Sequence, residues 1–441
     1  MKKYQNVILF SFLFVFFLLW NLFVMDLYAD EVWNYGFSYA IYQGLTPYQD
    51  FNMIIPPLYP FFMAILFYLF GFNMIVFHIV NAIILTVLSY FMYRLIGNKM
   101  WFILIFLFFP LPNTYPSYNL LAVCLITLIL YFEKEKKSDW WIGFLIGILI
   151  LTKQSIGACF FLPSLYYLKD FKKFGKRLGG MMTPLVFFFI YLVCNGTLFS
   201  FLDLCFFGLF DFTKNTPSFN ILYIFVLLCL GWVISWIWKD RKNLYFYYAL
   251  AAFSIVIPLF DFYHTQLFFI CLLLVWFMLK ERKMPFRMEL LFVGIVVGIG
   301  GLLSIFKFQT GVIYPNSFPH FETRMISKPV VEQYEALHKM LDKYPNQDFV
   351  YLISNAYFLR IERDESISFV DLINNGNHGY GGKEKLMKLI QERKNSYFLV
   401  DQRELNPKKQ TNKEVIHYVM DHGEKIDEVL FYELYRLKEE S

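Results

Sequence analysis

The chain has 441 residues, 58% of them hydrophobic and 21% aromatic, with 54 phenylalanines and a mean hydropathy of +0.46. A soluble domain cannot hide that much apolar surface, because surface grows too quickly relative to volume; the composition therefore fits a polytopic membrane protein. A net charge of +5 says nothing about nucleic acid, and the informative quantity is where the positive residues fall.

The first apolar run, VILFSFLFVFFLLWNLFV after Met1-Lys2-Lys3, resembles a signal peptide but lacks a small-residue cleavage site, so a retained signal anchor is expected. A crossing of a hydrocarbon core about 30 Å thick needs about 20 apolar residues. Spanning helices are expected near 7–25, 73–96, 100–112, 118–132, 140–152, 156–168, 180–196, 219–238, 244–259, 265–280 and 288–306. The short runs 140–152 and 156–168 lie between charged loops and must form a hairpin or one long helix. Segment 57–70 opens on Pro56-Pro57 and gives roughly 21 Å of helix, which suits the outer interface better than a crossing. With that choice, 19 Lys and Arg collect on one side, including EKEKK (133–137) and KDFKKFGKR (169–177), against Lys153 and Lys214 in the intervening loops. The positive-inside rule then predicts eleven spans, an internal amino terminus and an external stretch at 28–60.

After about residue 307 the pattern changes. PVVEQYEALHKMLDKY, KEKLMKLIQERK and KEVIHYVMDHG read as amphipathic helices, and DFVYLIS, SYFLVD and IDEVLFYELYRL as strands. The expected fold class is thus an α-helical polytopic membrane protein of about eleven spans with outer interfacial helices, plus a small carboxy-terminal extracytoplasmic α/β domain. The boundaries are 1–310 for the membrane domain, 26–72 for its first outer loop and 311–441 for the outer domain. The six cysteines show no CxxC pair, so neither a metal site nor a disulfide framework is indicated.

Between 28 and 60 the chain reads YADEVWNYGFSYAIYQGLTPYQDFNMIIPPLYP. An Asp-Glu pair after the first span, then GLTPYQDF, then PPL opening a short helix, resembles the first outer loop of the glycosyltransferase C superfamily. The similarity is to its protein O-mannosyltransferase and aminoarabinose transferase branch. PSYNLLA (116–122), LTKQSIG (151–157) and DFYHTQ (261–266) are also similar to bacterial members. The resemblance covers roughly residues 1–310. It implies a multi-pass cell-membrane transferase with an extracytoplasmic active site. Its partners would be a polyprenyl-phosphate-linked sugar donor, the lipid bilayer, and a surface glycan, teichoic-type polymer or protein as acceptor.

In that reaction an acceptor hydroxyl displaces the lipid phosphate at an anomeric carbon. A carboxylate within hydrogen-bond reach can take the hydroxyl proton, an effect of about 10²–10⁴-fold. Asp30 is the expected general base, with Glu31 orienting the acceptor or supporting Asp30; alone, such a pair would be an acidic helix end meeting water. The leaving phosphate needs positive partners. Lys153, between apolar helices, and His264, one turn after Asp261, are the expected donor-binding groups, against snorkelling and an interfacial histidine as the plainer alternatives. Relatives often carry a basic residue inside the first loop; residues 26–60 have none, leaving Lys153, His264 and Arg324 to supply charge. Tyr48 and Asp50 in the Pro-Tyr-Gln-Asp turn, and Tyr118, Asn119, Gln154 and Asp261, are candidate substrate contacts. The LINNGNHGYGG run (372–382) reads as a loop closing over or beside the site, not a phosphate cradle. No metal ligand spacing is present and no cofactor is expected, although a divalent cation stays open because some branches use one. A flippase of lipid-linked envelope precursors is the competing reading; it should show inverted repeats and broken helices near the midplane, and neither is found.

Overall fold

Side chains that are apolar all round a helix, as in much of the first 300 residues, need a neighbour on every side. The computed structural model describes residues 2–23, 29–96, 116–208, 210, 224, 227, 228, 231, 243–256, 262–279 and 313–438, without 375, 408 and 410. The expected spans at 100–112 and 288–306, and most of 219–238, lie outside the described residues. The chain divides into two compact units. One, the helical unit, comprises Met1–Asn21, His78–Ile190 and Pro217–Thr310; the other, the sheet-bearing unit, comprises Leu22–Phe77, Tyr191–Thr216 and Gly311–Ser441.

The helical unit includes helices Tyr118–Lys134, Asp139–Thr152, Gln154–Phe160, Leu244–Ala252 and Phe262–Leu279, with most of Lys2–Phe23, Met74–Ile96 and Phe171–Cys194. Among the described residues, Met74–Ile96 and Phe171–Cys194 are long and apolar enough to cross a membrane. Ser117 starts its helix as an N-cap, its hydroxyl accepting from Leu120 N at 3.3 Å. Of the two arrangements open for 140–168, one long helix does not form. Lys153 adopts extended φ −150° and ψ 106° between Asp139–Thr152 and Gln154–Phe160. Helix Asp139–Thr152 crosses Phe171–Cys194 backbone to backbone: a Cβ on Gly143 would run into Arg177 O, and one on Gly180 into Trp140 O. Small residues at such a crossing let two helices approach closely where no water drives them together.

The KDFKKFGKR stretch, expected as a loop, already belongs to helix Phe171–Cys194 from Phe171 onward. Arg177 is 1% exposed there, 2.5 Å from Glu133 and donating through Nε to Asp139 at 2.9 Å. Tyr248 OH donates to the same Glu133 at 2.7 Å. The buried pairing, which a count of loop charges cannot register, draws this arginine out of water.

In the sheet-bearing unit, four strands stand in the order Phe349–Leu352, Tyr397–Asp401, Tyr432–Leu437, Gly423–Val429. The first pair is parallel and the other two are antiparallel. A parallel pair needs a long crossover, and helices Ala356–Glu362 and Gly382–Glu392 lie along it. Val350, Leu352, Phe398 and Val400 pack with Leu386, Ile390, Val415 and Val419 into one core. The run IDEVLFYELYRL, expected as a single strand, is instead part of a hairpin that turns at Leu430 with φ 57°. No glycine or asparagine announces that turn in the sequence.

Stretch 29–42 folds as helix Ala29–Tyr42, and Leu58–Phe70 forms the short helix expected at 57–70. The Tyr35 ring is enclosed by Phe67, Phe77 and Phe321 at 5.3–5.5 Å between centroids. Gly36 has no room for a Cβ because the Tyr357 ring of helix Ala356–Glu362 lies against it. The first-loop helix and the carboxy-terminal segment thus share one unit.

Candidate functional site

Asp30 and Glu31 occupy the first turn of helix Ala29–Tyr42, where the helix dipole favours negative charge. Asp30 is half-buried, and its backbone carbonyl accepts from Asn34 Nδ2 at 2.6 Å. Glu31 is fully buried, and its Oε2 accepts from Arg324 Nη2 at 2.7 Å, with Arg324 2% exposed. A buried carboxylate of this kind is tolerable only when paired. The peptide group after Arg324 is held on both its sides: Asn316 Nδ2 donates to Arg324 O at 2.5 Å, and Met325 N to Leu22 O at 3.2 Å. The positive charge that residues 26–60 lack therefore comes from Arg324, and it goes to Glu31.

The PYQDF turn is built from its own polar groups. Asp50 Oδ2 accepts from Thr46 N at 2.7 Å, closing the turn back on itself. Tyr48 stands in the left-handed region at φ 69°, 2% exposed, donating its hydroxyl to Ile55 O at 2.7 Å. Burial pushes its phenol well above the ordinary range. Asn52 Nδ2 donates to Asn377 O at 2.8 Å and so ties this turn to the glycine-rich run 372–382. That run is also fastened by Asp203, whose carboxylate accepts from Tyr380 N at 2.9 Å and from Lys385. Gly379, at φ 81°, must be glycine here, because a Cβ would strike the same carboxylate.

In the helical unit a second group of expected residues comes together. Lys153 Nζ donates to Asn119 Oδ1 at 2.8 Å, lies 3.3 Å from His264 Nε2, and stands 5.6 Å from the Tyr118 ring centroid. The break in the helix at Lys153 projects this ammonium from an extended residue, and Ser117 Oγ and Tyr263 OH, 2.9 Å apart, join the ends of the helices that carry Asn119 and His264. Asn119, Gln154 and His264 are 1%, 7% and 6% exposed. An ammonium, an imidazole and an amide converging in a mostly buried site can hold an oxyanion. Asp261 lies outside the described residues. Among the described residues, no three His, Cys, Asp or Glu side chains gather as a metal site would require.

The fold has known counterparts. In fold, the chain is similar to the aminoarabinose transferase branch of the glycosyltransferase C type, the likeness that the 28–60 motifs suggested. Specifically, it resembles the crystal structure of ArnT from Cupriavidus metallidurans bound to undecaprenyl phosphate. The TM-score is 0.59 at 11% sequence identity, over 98% of this chain and 97% of that one. The same enzyme in the apo state matches with a TM-score of 0.58 at 12% identity, over 99% and 98%. No protein-family model matches the chain, and no curated protein does.

Proposed function

We propose that the chain is an integral-membrane glycosyltransferase that moves a sugar from a polyprenyl-phosphate donor to an acceptor outside the cytoplasmic membrane. The observation that carries this reading is a likeness in fold, over 98% of the chain, to an ArnT structure bound to undecaprenyl phosphate. In the proposed topology the chain crosses the membrane eleven times, helix Leu58–Phe70 lies in the outer interface, and residues 28–60 and the carboxy-terminal domain face outward.

Asp30 takes the proton of the acceptor hydroxyl as its oxygen bonds to the anomeric carbon. The bond from that carbon to the phosphate oxygen breaks, and the lipid phosphate leaves with the electron pair. Lys153 and His264 offset its charge, and Asn119 orients Lys153. Glu31, neutralised by Arg324, fixes the helix turn that presents Asp30. Tyr118, Gln154 and Asp261 serve the donor side, and Tyr48 and Asp50 the acceptor side. Rigid placement of the base matters because small displacements lose rate steeply.

Replacing Asp30 with Asn should leave membrane level unchanged and lower transfer from an isolated polyprenyl-phosphate sugar by about 10²–10⁴-fold; wild-type transfer would refute the base assignment. Lys153→Ala should raise the donor KM while acceptor dependence is preserved, and an unaltered donor profile would remove Lys153 from phosphate binding.

A further inference from the structure

A polar groove of about 530 Å³ opens in the sheet-bearing unit, and of the groups assigned above Asp50 alone lines it. Gln347 and Asp348, ahead of strand Phe349–Leu352, line it with Arg360, Arg393, and Ser366 and Phe369 from the loop after helix Ala356–Glu362. The volume lies within the range of about 300–1,000 Å³ usual for small-ligand sites.

Arg360 is held in place, and the groove's other polar groups are only partly used. Arg360 is 5% exposed and donates to both Asp371 oxygens, to Glu365 Oε2 and to Phe349 O, at 2.9–3.0 Å. A guanidinium has five N–H groups, so one on Nη1 has no partner among the described residues. Asp50 uses Oδ2 on Thr46 N, and Asp348 uses Oδ2 on Ser396 and Arg393. The second oxygen of each carboxylate, the Ser366 hydroxyl and the Gln347 amide likewise have no hydrogen-bond partner among the described residues. The groove therefore presents carboxylate acceptors, a guanidinium donor and neutral donor–acceptor groups together, with the half-buried ring of Phe369 beside them.

That mixture selects by charge. An anion meets Asp50, Asp348 and Glu365, and a cation meets Arg360 and Arg393. A neutral ligand with neighbouring hydroxyls satisfies both signs, each hydroxyl accepting from one group and donating to the next, while its C–H face covers an aromatic ring. We propose that this groove is a saccharide subsite that holds a neutral oligosaccharide, the acceptor of the transfer reaction. Only the word acceptor rests on the transferase reading; binding does not.

The test uses the full-length protein in detergent and a panel of neutral oligosaccharides covering hexoses, N-acetylhexosamines, 6-deoxyhexoses and pentoses. Saturation-transfer NMR without any lipid donor should show binding by at least one. Ser366→Trp, which fills the groove from an exposed position, and Asp50→Asn should each weaken that binding about tenfold, the size expected when a few hydrogen bonds are lost. In transfer assays both should raise the acceptor KM by a similar factor and leave the donor KM alone. Binding by no member of the panel, or binding and acceptor KM at wild-type values in both variants, would overturn the proposal. Saccharide bound in the groove by a protein that transfers no sugar would support the subsite and defeat the transferase reading. Transfer insensitive to both variants would do the reverse.

Discussion

Helix Phe171–Cys194 and the carboxy-terminal sheet handle apolar side chains in opposite ways. On the helix, Phe187, Phe189 and Ile190 are 71%, 53% and 51% exposed. Among the described residues of 313–438, Tyr380 and Leu430 are the only large apolar side chains left open to a comparable degree. Scattered exposed apolar residues are ordinary on a soluble surface, but contiguous ones are not. The difference teaches which medium each region is built for. One face suits hydrocarbon and leaves large apolar side chains open; the other suits water and sequesters them in a core.

The largest expected effect comes from Arg360→Leu. It strands Asp371, which is fully buried, and should cost the sheet-bearing unit about 3–5 kcal/mol. Limited proteolysis in detergent should then clip the carboxy-terminal region while the helical fragments persist. Simultaneous loss of both regions would break the comparison. Next comes Phe187→Lys, which places a charge on the apolar helix face and should cost about 3 kcal/mol of insertion, read as a smaller membrane-integrated fraction. The matching change on the sheet, Leu430→Lys, should alter stability by no more than about 0.5 kcal/mol. Equal effects of these two lysines would mean that both faces meet the same medium.

Acid sharpens the comparison from the water side. His378 is 3% exposed beside the Phe369 carbonyl, and burial lowers its pKa from 6.5 to about 4. Between those values the unfolded chain binds more protons than the folded one, so stability falls as pH drops through the window from about 6.5 to about 4. The loss approaches about 3 kcal/mol below it. His378→Gln should flatten the dependence in melting curves taken across that range, and an unchanged slope would exclude this histidine as its source.

The sequence was most legible where one signal acted alone. Apolar length marked Met74–Ile96, and short apolar runs rich in β-branched and aromatic residues marked Phe349–Leu352 and Tyr397–Asp401 within a residue or two. It was least legible where a distant partner decided. Arg177 reads as one basic residue among many until Glu133 and Asp139 are brought beside it. The hairpin at Leu430 turns on a leucine, and helix Ala356–Glu362 is too short to show a period. For the candidate site, Asn119, Lys153 and His264 could be chosen singly from position, but their convergence could not. The groove was invisible because Asp50 joins, from about 300 residues away, walls drawn from separate stretches between Gln347 and Arg393.

The bond between Glu31 and Arg324 joins residues 293 positions apart. Ribosomes add roughly 5–20 residues per second, so about 15–60 seconds separate the emergence of the two. Until then the turn bearing Asp30 has a carboxylate awaiting its counterion, and helix Ala29–Tyr42 is not yet locked. A nascent chain that stalls or is truncated before residue 324 is therefore denied this clasp. This clasp cannot close until nearly three quarters of the polypeptide has been made.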